Sequence, residues 1–146
     1  MNKKQQELMN QYVADLAVLN VKFHNLHWNV VGERFVPVHV YLEEQYDDFF
    51  EKFDEVAERL KMLGEFSPAS MSEYLKLTQV EELENRDYPI ADVYKIVQAE
   101  FTALKALATD IRNLADDAGD FVTVGMMEDH VADYDKQLWF IAQSLK

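Results

Sequence analysis

The 146 residues, 49% of them apolar, suffice for one domain (1–146) with a sizeable core and fall short of two typical ones. Fourteen Lys and Arg stand against twenty-seven Asp and Glu, and the resulting charge of −13 repels nucleic acid and acidic membrane surfaces while favouring cations as partners. With no Cys, a disulfide framework, a thiolate metal site and a nucleophilic thiol are all excluded, which fits a reducing, cytoplasmic setting. The opening MNKKQQELMNQYVADL mixes Lys, Gln and Glu with apolar residues, and no apolar run approaches the roughly 18 residues of a membrane span, so neither export nor anchoring is expected.

Leu8, Tyr12, Leu16, Leu19, Phe23, Leu26 and Val30 recur at gaps of four and three, which predicts a first long amphipathic helix. Gly32 and Pro37 bracket a short turn. A second, antiparallel helix then carries Leu42, Tyr46, Phe49, Phe53, Val56, Leu60 and Leu63 from Pro37 until Gly64. The segment up to Asp87 holds Pro68, Ser70 and Ser72 ahead of the brief helical stretch MSEYLKL, and reads as a crossover. Pro89 suits the first turn of a third helix through Val93, Val97, Phe101, Leu104, Ala108, Ile111 and Ala115, ended by Gly119. The stripe Phe121, Val124, Met127, Val131, Tyr134, Leu138, Ile141 and Leu145 predicts a fourth, with Tyr134, Trp139 and its Met residues in the core. No strand pattern, repeat or Gly-rich phosphate loop is expected. The fold class is all-α: a four-helix bundle with one long crossover of the ferritin-like kind.

Chemistry concentrates between His24 and Leu63. The short turn lets His27 and His39 approach each other, and Asp54 and Glu58, four residues apart, share one helix face. Imidazole with carboxylate and open positions is how non-haem Fe(II) is usually held. In isolation, however, His27 reads as a satisfied core histidine, and Asp54 and Glu58 as part of a solvated acidic face with Glu43, Glu44, Asp47, Asp48, Glu51 and Glu55; composition leaves that choice open. Spacing adds a constraint. His39 and Asp54 lie fifteen residues apart on one helix, roughly 22 Å at ~1.5 Å per residue. Ligand atoms sit roughly 2 Å from a metal, so these four residues make one site only if a second chain, antiparallel about a two-fold axis, brings its own acids. A bundle-internal di-iron site with Glu three residues before His is not available: Met127, His24, Val21 and Val36 occupy that offset before His130, His27, His24 and His39.

HNLHWNVVG, the VH pair at His39, DEVAERLKMLG, the crossover MSEYL, and AGD followed by a helix with Trp139 near its end together resemble the Dps family, the miniferritins named as DNA-binding proteins from starved cells. The resemblance spans nearly the whole chain. It implies a hollow dodecamer with ferroxidase centres at two-fold interfaces, His27 and His39 coming from one subunit and Asp54 and Glu58 from its mate, with Glu58 bridging and Asp54 terminal. It further implies iron as the metal, oxidation of Fe²⁺ by hydrogen peroxide, and storage of ferric mineral in an acidic cavity, protecting the cell by consuming both reagents. His24 is expected to hydrogen-bond within the first helix. Trp28 is open between electron donor and packing residue. Asp120, Asp129 and Asp133 are candidates for a cation-drawing pore, in which Gly125 stands where the family has a further acid, and Glu43, Glu44 and Asp47 are candidates for mineral nucleation.

Two rival classes make different demands. A DNA-compacting protein needs several Lys or Arg on phosphates, but only Lys3 and Lys4 precede the first helix and no basic tail follows the last, so tight DNA binding is not expected. A purely structural or cell-surface bundle needs neither iron nor a shell.

Overall fold

Helix signals and breakers divide the chain as the stripes predict. The computed structural model describes all residues, Met1–Lys146. In chain order these are α1 (Lys3–Asn29), β1 (Val30–Val31), α2 (Phe35–Met62), α3 (Met71–Leu77), β2 (Tyr88–Pro89), α4 (Ile90–Asp117) and α5 (Phe121–Ser144). The four long helices form the bundle, with α1 against α2, α4 against α5, and the crossover with α3 running along α1. Aromatic rings tie the layers together: Phe23 of α1 meets Phe49 of α2 and Phe101 of α4 edge-on at 4.8 and 6.1 Å, and Phe101 meets Tyr134 of α5 at 5.9 Å.

Polar residues of α1, Asp15 and Lys22 buried and Asn25 half-buried, hold the crossover. The Asp15 carboxylate accepts from Thr78 Oγ1 at 2.7 Å and the Gln79 amide at 2.9 Å. Lys22 Nζ donates to the Glu81 carbonyl at 2.6 Å and to Glu100 of α4 at 2.7 Å, while Asn25 donates to the carbonyls of Leu83 and Glu84. Buried polar groups of this kind must be paired, and here the pairing fixes the path of the long connection.

Several expectations change. α2 begins at Phe35, placing Pro37 within its first turn, where a missing N–H costs no helical bond. A two-residue parallel ladder, Val30–Val31 with Tyr88–Pro89, anchors the end of α1, and so short a pairing leaves no alternating pattern to read. Trp139 is 61% and Phe121 80% exposed, so neither belongs to the core of the chain, whereas Tyr134 and Met127 are fully buried. Trp139 instead lines a largely apolar groove of about 420 Å³ with Pro37, Val38, Tyr41, Tyr94 and Phe140.

The joint between α4 and α5 is compact. Gly119, at φ +72°, ends α4 in the left-handed region, letting the Asp120 amide reach the Ala115 carbonyl at 2.8 Å. Asp120 then caps α5: its carboxylate accepts from the Thr123 amide and hydroxyl, from Gln5, and from Arg59 Nη2 at 2.6 Å. Burial alone would raise the Asp120 pKa, but these hydrogen bonds outweigh it and hold the group below the ordinary Asp value. Asp120→Ala is therefore expected to cost about 1–2 kcal/mol near neutral pH through the lost cap. Because the folded pKa is depressed, the ionised-group contribution is complete above about pH 4 and disappears as pH falls through the folded value, so the deficit should shrink in acid. Denaturant midpoints of both proteins across that range check the sign.

Candidate metal centre

The chain reverses between α1 and α2 within a few residues, and Gly32 makes this possible: its φ is +138°, and a Cβ there would lie 2.9 Å from Ile90 Cδ1. The reversal stacks the rings of His27 and His39 with centroids 3.6 Å apart and planes 11° from parallel. Their hydrogen bonds are reciprocal. His27 Nδ1–H donates to the main-chain oxygen of His39 at 2.6 Å, and His39 Nδ1–H donates to that of His27 at 2.7 Å. A carbonyl only accepts, so in each neutral ring the hydrogen sits on Nδ1 and the lone pair on Nε2. Two Nε2 donors are thus oriented by the backbone before any ion arrives.

His24 lies one turn earlier, with Nδ1 donating to the Asn20 carbonyl at 2.7 Å and its ring stacked on Tyr46 at 3.6 Å, the packing role expected of it. Trp28 is 67% exposed beside His24, so packing within its own chain is not its task.

Asp54 and Glu58 stand exposed further along α2 and border a groove of about 450 Å³ with Glu51, Glu55, Arg59, Met62, Val122 and Met126. The nearby cations are engaged elsewhere: Arg59 with Asp120, Lys52 with Asp48 and Asp133. Glu58 accordingly feels Asp54 unopposed; a hydrogen bond shared with Asp54, then its negative charge, raises the Glu58 pKa. Two adjacent carboxylates without a counter-ion are an arrangement that a divalent cation relieves.

α2 is unbroken from Phe35 to Met62, so the helical rise keeps His39 and Asp54 roughly 22 Å apart. Nowhere in the chain do three or more His, Asp or Glu side chains converge as they would around one ion. The imidazole pair and the carboxylate pair therefore stand toward opposite ends of α2.

Other expectations meet a different structure. Asp120 is committed to its cap, and Asp133 is bonded to Lys52 Nζ at 2.7 Å, so of the three pore candidates only Asp129 stands exposed. Glu43, Glu44 and Asp47 are exposed on α2. In the polar cleft that His130 borders, the Lys52 ammonium lies between Asp48 and Asp133. Sequence reasoning passed over His130 because no Glu precedes it by three; its partner Glu55 lies 75 residues away.

Comparison with known proteins agrees with this architecture. Residues 6–146 match the ferritin-like domain. The chain is 39% identical to antigen TpF1 of Treponema pallidum over 140 residues, 96% of this chain and 79% of that one, and the crystal structure of TpF1 superposes with a TM-score of 0.96 at 38% identity, covering 98% and 92% of the two chains. It is 35% identical to a Helicobacter pylori DNA protection during starvation protein, covering 95% of this chain and 96% of the relative. A Dps protein from Vibrio cholerae O1, described as a member of a broad superfamily of ferritin-like diiron-carboxylate proteins, superposes with a TM-score of 0.92 at 30% identity over 99% and 90% of the chains. The chain belongs to the ferritin-like family, in its Dps branch.

Proposed function

We propose that this protein is an iron-storing ferroxidase whose centre is completed across a two-fold axis, with His27 and His39 from one chain and Asp54 and Glu58 from the other. The reciprocal His27–His39 pair carries this reading, because it brings two imidazoles together and uses both Nδ1 hydrogens on the backbone, leaving both Nε2 atoms for a metal. Membership of a diiron-carboxylate superfamily supports iron as the metal handled, and here iron is substrate and cargo.

The residues divide the work. The imidazoles bind and position Fe²⁺; the carboxylates, as hard anionic donors, favour Fe³⁺ over Fe²⁺ and so assist oxidation. Hydrogen peroxide is the oxidant, and pairing two electrons from iron with one peroxide avoids releasing hydroxyl radical. Ferric iron then moves into a cavity whose walls draw on the chain's net charge of −13 and on Glu43, Glu44 and Asp47. A twelve-chain shell fits the apolar side chains left in water by a single chain, among them Val36, Phe50, Met62, Phe66 and Phe121. No helix is long and apolar enough to cross a membrane. The same charge opposes direct contact with DNA phosphates, so any protection of DNA runs through removal of iron and peroxide.

Stopped-flow absorbance after anaerobic addition of Fe²⁺ and then peroxide should show fast ferric formation by a particle that light scattering sizes at twelve chains. A monomer that oxidises iron as fast would refute the shared centre.

A further inference from the structure

The groove beside Asp54 and Glu58 is bordered by two thioethers that iron binding does not use. Asp54, Glu58 and Met62 follow one another at four-residue spacing on α2, so all three stand on one face of that helix. Each is displaced from the last by about 6 Å along the axis, at ~1.5 Å per residue. Met62 is the last residue of α2 and is 71% exposed. Val122 and Met126, again four residues apart, border the groove from α5, with Met126 half-buried against the core. One wall thus aligns two acids with a sulfur, and the other offers a second, less accessible sulfur.

The remaining methionines are placed differently. Met9 and Met127 are fully buried, where a thioether fills space and meets no oxidant. Met71 is 64% exposed but lies outside the groove, at the start of α3. Met62 alone combines high exposure with a place beside the acids. The other side chains of the groove are poor oxygen acceptors: carboxylates, the aliphatic Val122, and the Arg59 guanidinium, which Asp120 and Thr123 already hold. A thioether, by contrast, takes up one oxygen to become a sulfoxide, and that change is reversible.

We propose that Met62 is the oxygen acceptor for hydrogen peroxide that reaches the acid end of α2 in excess of Fe²⁺, and that it is converted there to methionine sulfoxide. The inference rests on the ferroxidase reading above. The step balances between two molecules: the O–O bond of peroxide breaks, an S–O bond forms, the thioether loses two electrons, and the second oxygen leaves as water with both hydrogens. No odd electron is produced, so no hydroxyl radical is freed when iron runs short. Access follows from the iron chemistry, since an oxidant that reaches Glu58 has one further helical turn to travel. A cation held by the acids also withdraws electron density from peroxide, which makes its outer oxygen a better target for sulfur. With no Cys in the chain, the two electrons that restore the thioether must come from an external dithiol, which closes to a disulfide as the oxygen leaves in water.

The test uses the assembled wild-type protein with one Fe²⁺ per chain, given hydrogen peroxide in excess, quenched with catalase, digested and mapped by mass spectrometry while absorbance records ferric iron. Met62 should gain one oxygen several-fold faster than Met71, and free methionine in the solution should not suppress the gain. A diffusing radical would instead mark exposed methionines without regard to the groove, and free methionine would intercept it. Leaving out iron, or introducing Glu58→Gln, should bring Met62 down to the level of Met71. In Met62→Leu, the peroxide consumed beyond the iron present should fall by one molecule per chain. Ferric formation with Met62 unmodified, or modified no faster than Met71, would overturn the inference and leave the iron site standing. A Met62 signal abolished by free methionine, or one indifferent to iron, would overturn it equally, and these arms need no variant. Wild-type protein that forms no ferric iron would remove both readings.

Discussion

Shells assembled from an equal mixture of His27→Ala and Asp54→Ala chains are expected to oxidise iron at roughly a quarter of the wild-type rate, since an isologous pair places each centre across two chains. Each variant assembled alone is expected to fall by about 10–100-fold or more, given that even outer partners of metal ligands have effects of that size. The recovery follows from geometry. α2 runs unbroken between the two pairs, so in the proposed arrangement the imidazoles and the acids of one chain serve different centres. In a mixed pair, one centre receives both substitutions, and the other receives intact imidazoles from the Asp54→Ala chain and intact acids from the His27→Ala chain. Half of randomly formed pairs are mixed, and half the centres of each mixed pair are whole. A site contained in one chain gives no recovery at all. Coexpressed chains, separated from pure assemblies by tags and followed by stopped-flow absorbance, provide the measurement; a mixture no faster than its components would sink the shared centre.

How much of this was legible depends on how local the deciding interaction is. The four long helices follow from apolar spacing because a stripe and its neighbour lie within one or two turns, and the approach of His27 to His39 follows from the shortness of the turn. Their reciprocal bonds were not legible, since the acceptors are backbone carbonyls available at every position. Asp15, Lys22 and Asn25 look like faults in an apolar helix until partners some 60 residues away on the crossover are in place. Asp120 was readable in principle: a Gly and then an Asp just before a helix, with Thr123 three residues on, is a C-terminal and an N-terminal signal back to back. Counting it among acidic pore candidates put overall charge ahead of local hydrogen bonding. Trp139 shows the converse. Helical spacing places it near the apolar stripe, yet α5 ends there without a helix to cover that face, and the ring lies open at the rim of a groove.

Phe23→Ala is expected to lower the stability of the folded chain by about 3–5 kcal/mol, the cost of emptying a fully packed aromatic site. Phe23 is 0% exposed, and its ring is held edge-on by Phe49 and Phe101, so the space it leaves is bounded by three helices whose axes the rest of the bundle holds in place. Collapse into that space would require α1 to move toward α4, but α1 is pinned there by Lys22, one residue before Phe23, through its bond to Glu100. The cavity should therefore persist, which favours the upper part of the range. The effect reaches the iron chemistry as well. His27 lies four residues after Phe23, on the same face of α1, and its ring must hold its place against His39 to keep the stacked pair intact. Denaturant midpoints at matched chain concentration measure the first effect, because assembly contributes to apparent stability. Ferric formation at a temperature where the variant remains folded measures the second. A loss below about 1 kcal/mol would mean that the helices close over the gap, and the rigidity ascribed to the histidine pair would then lack its support.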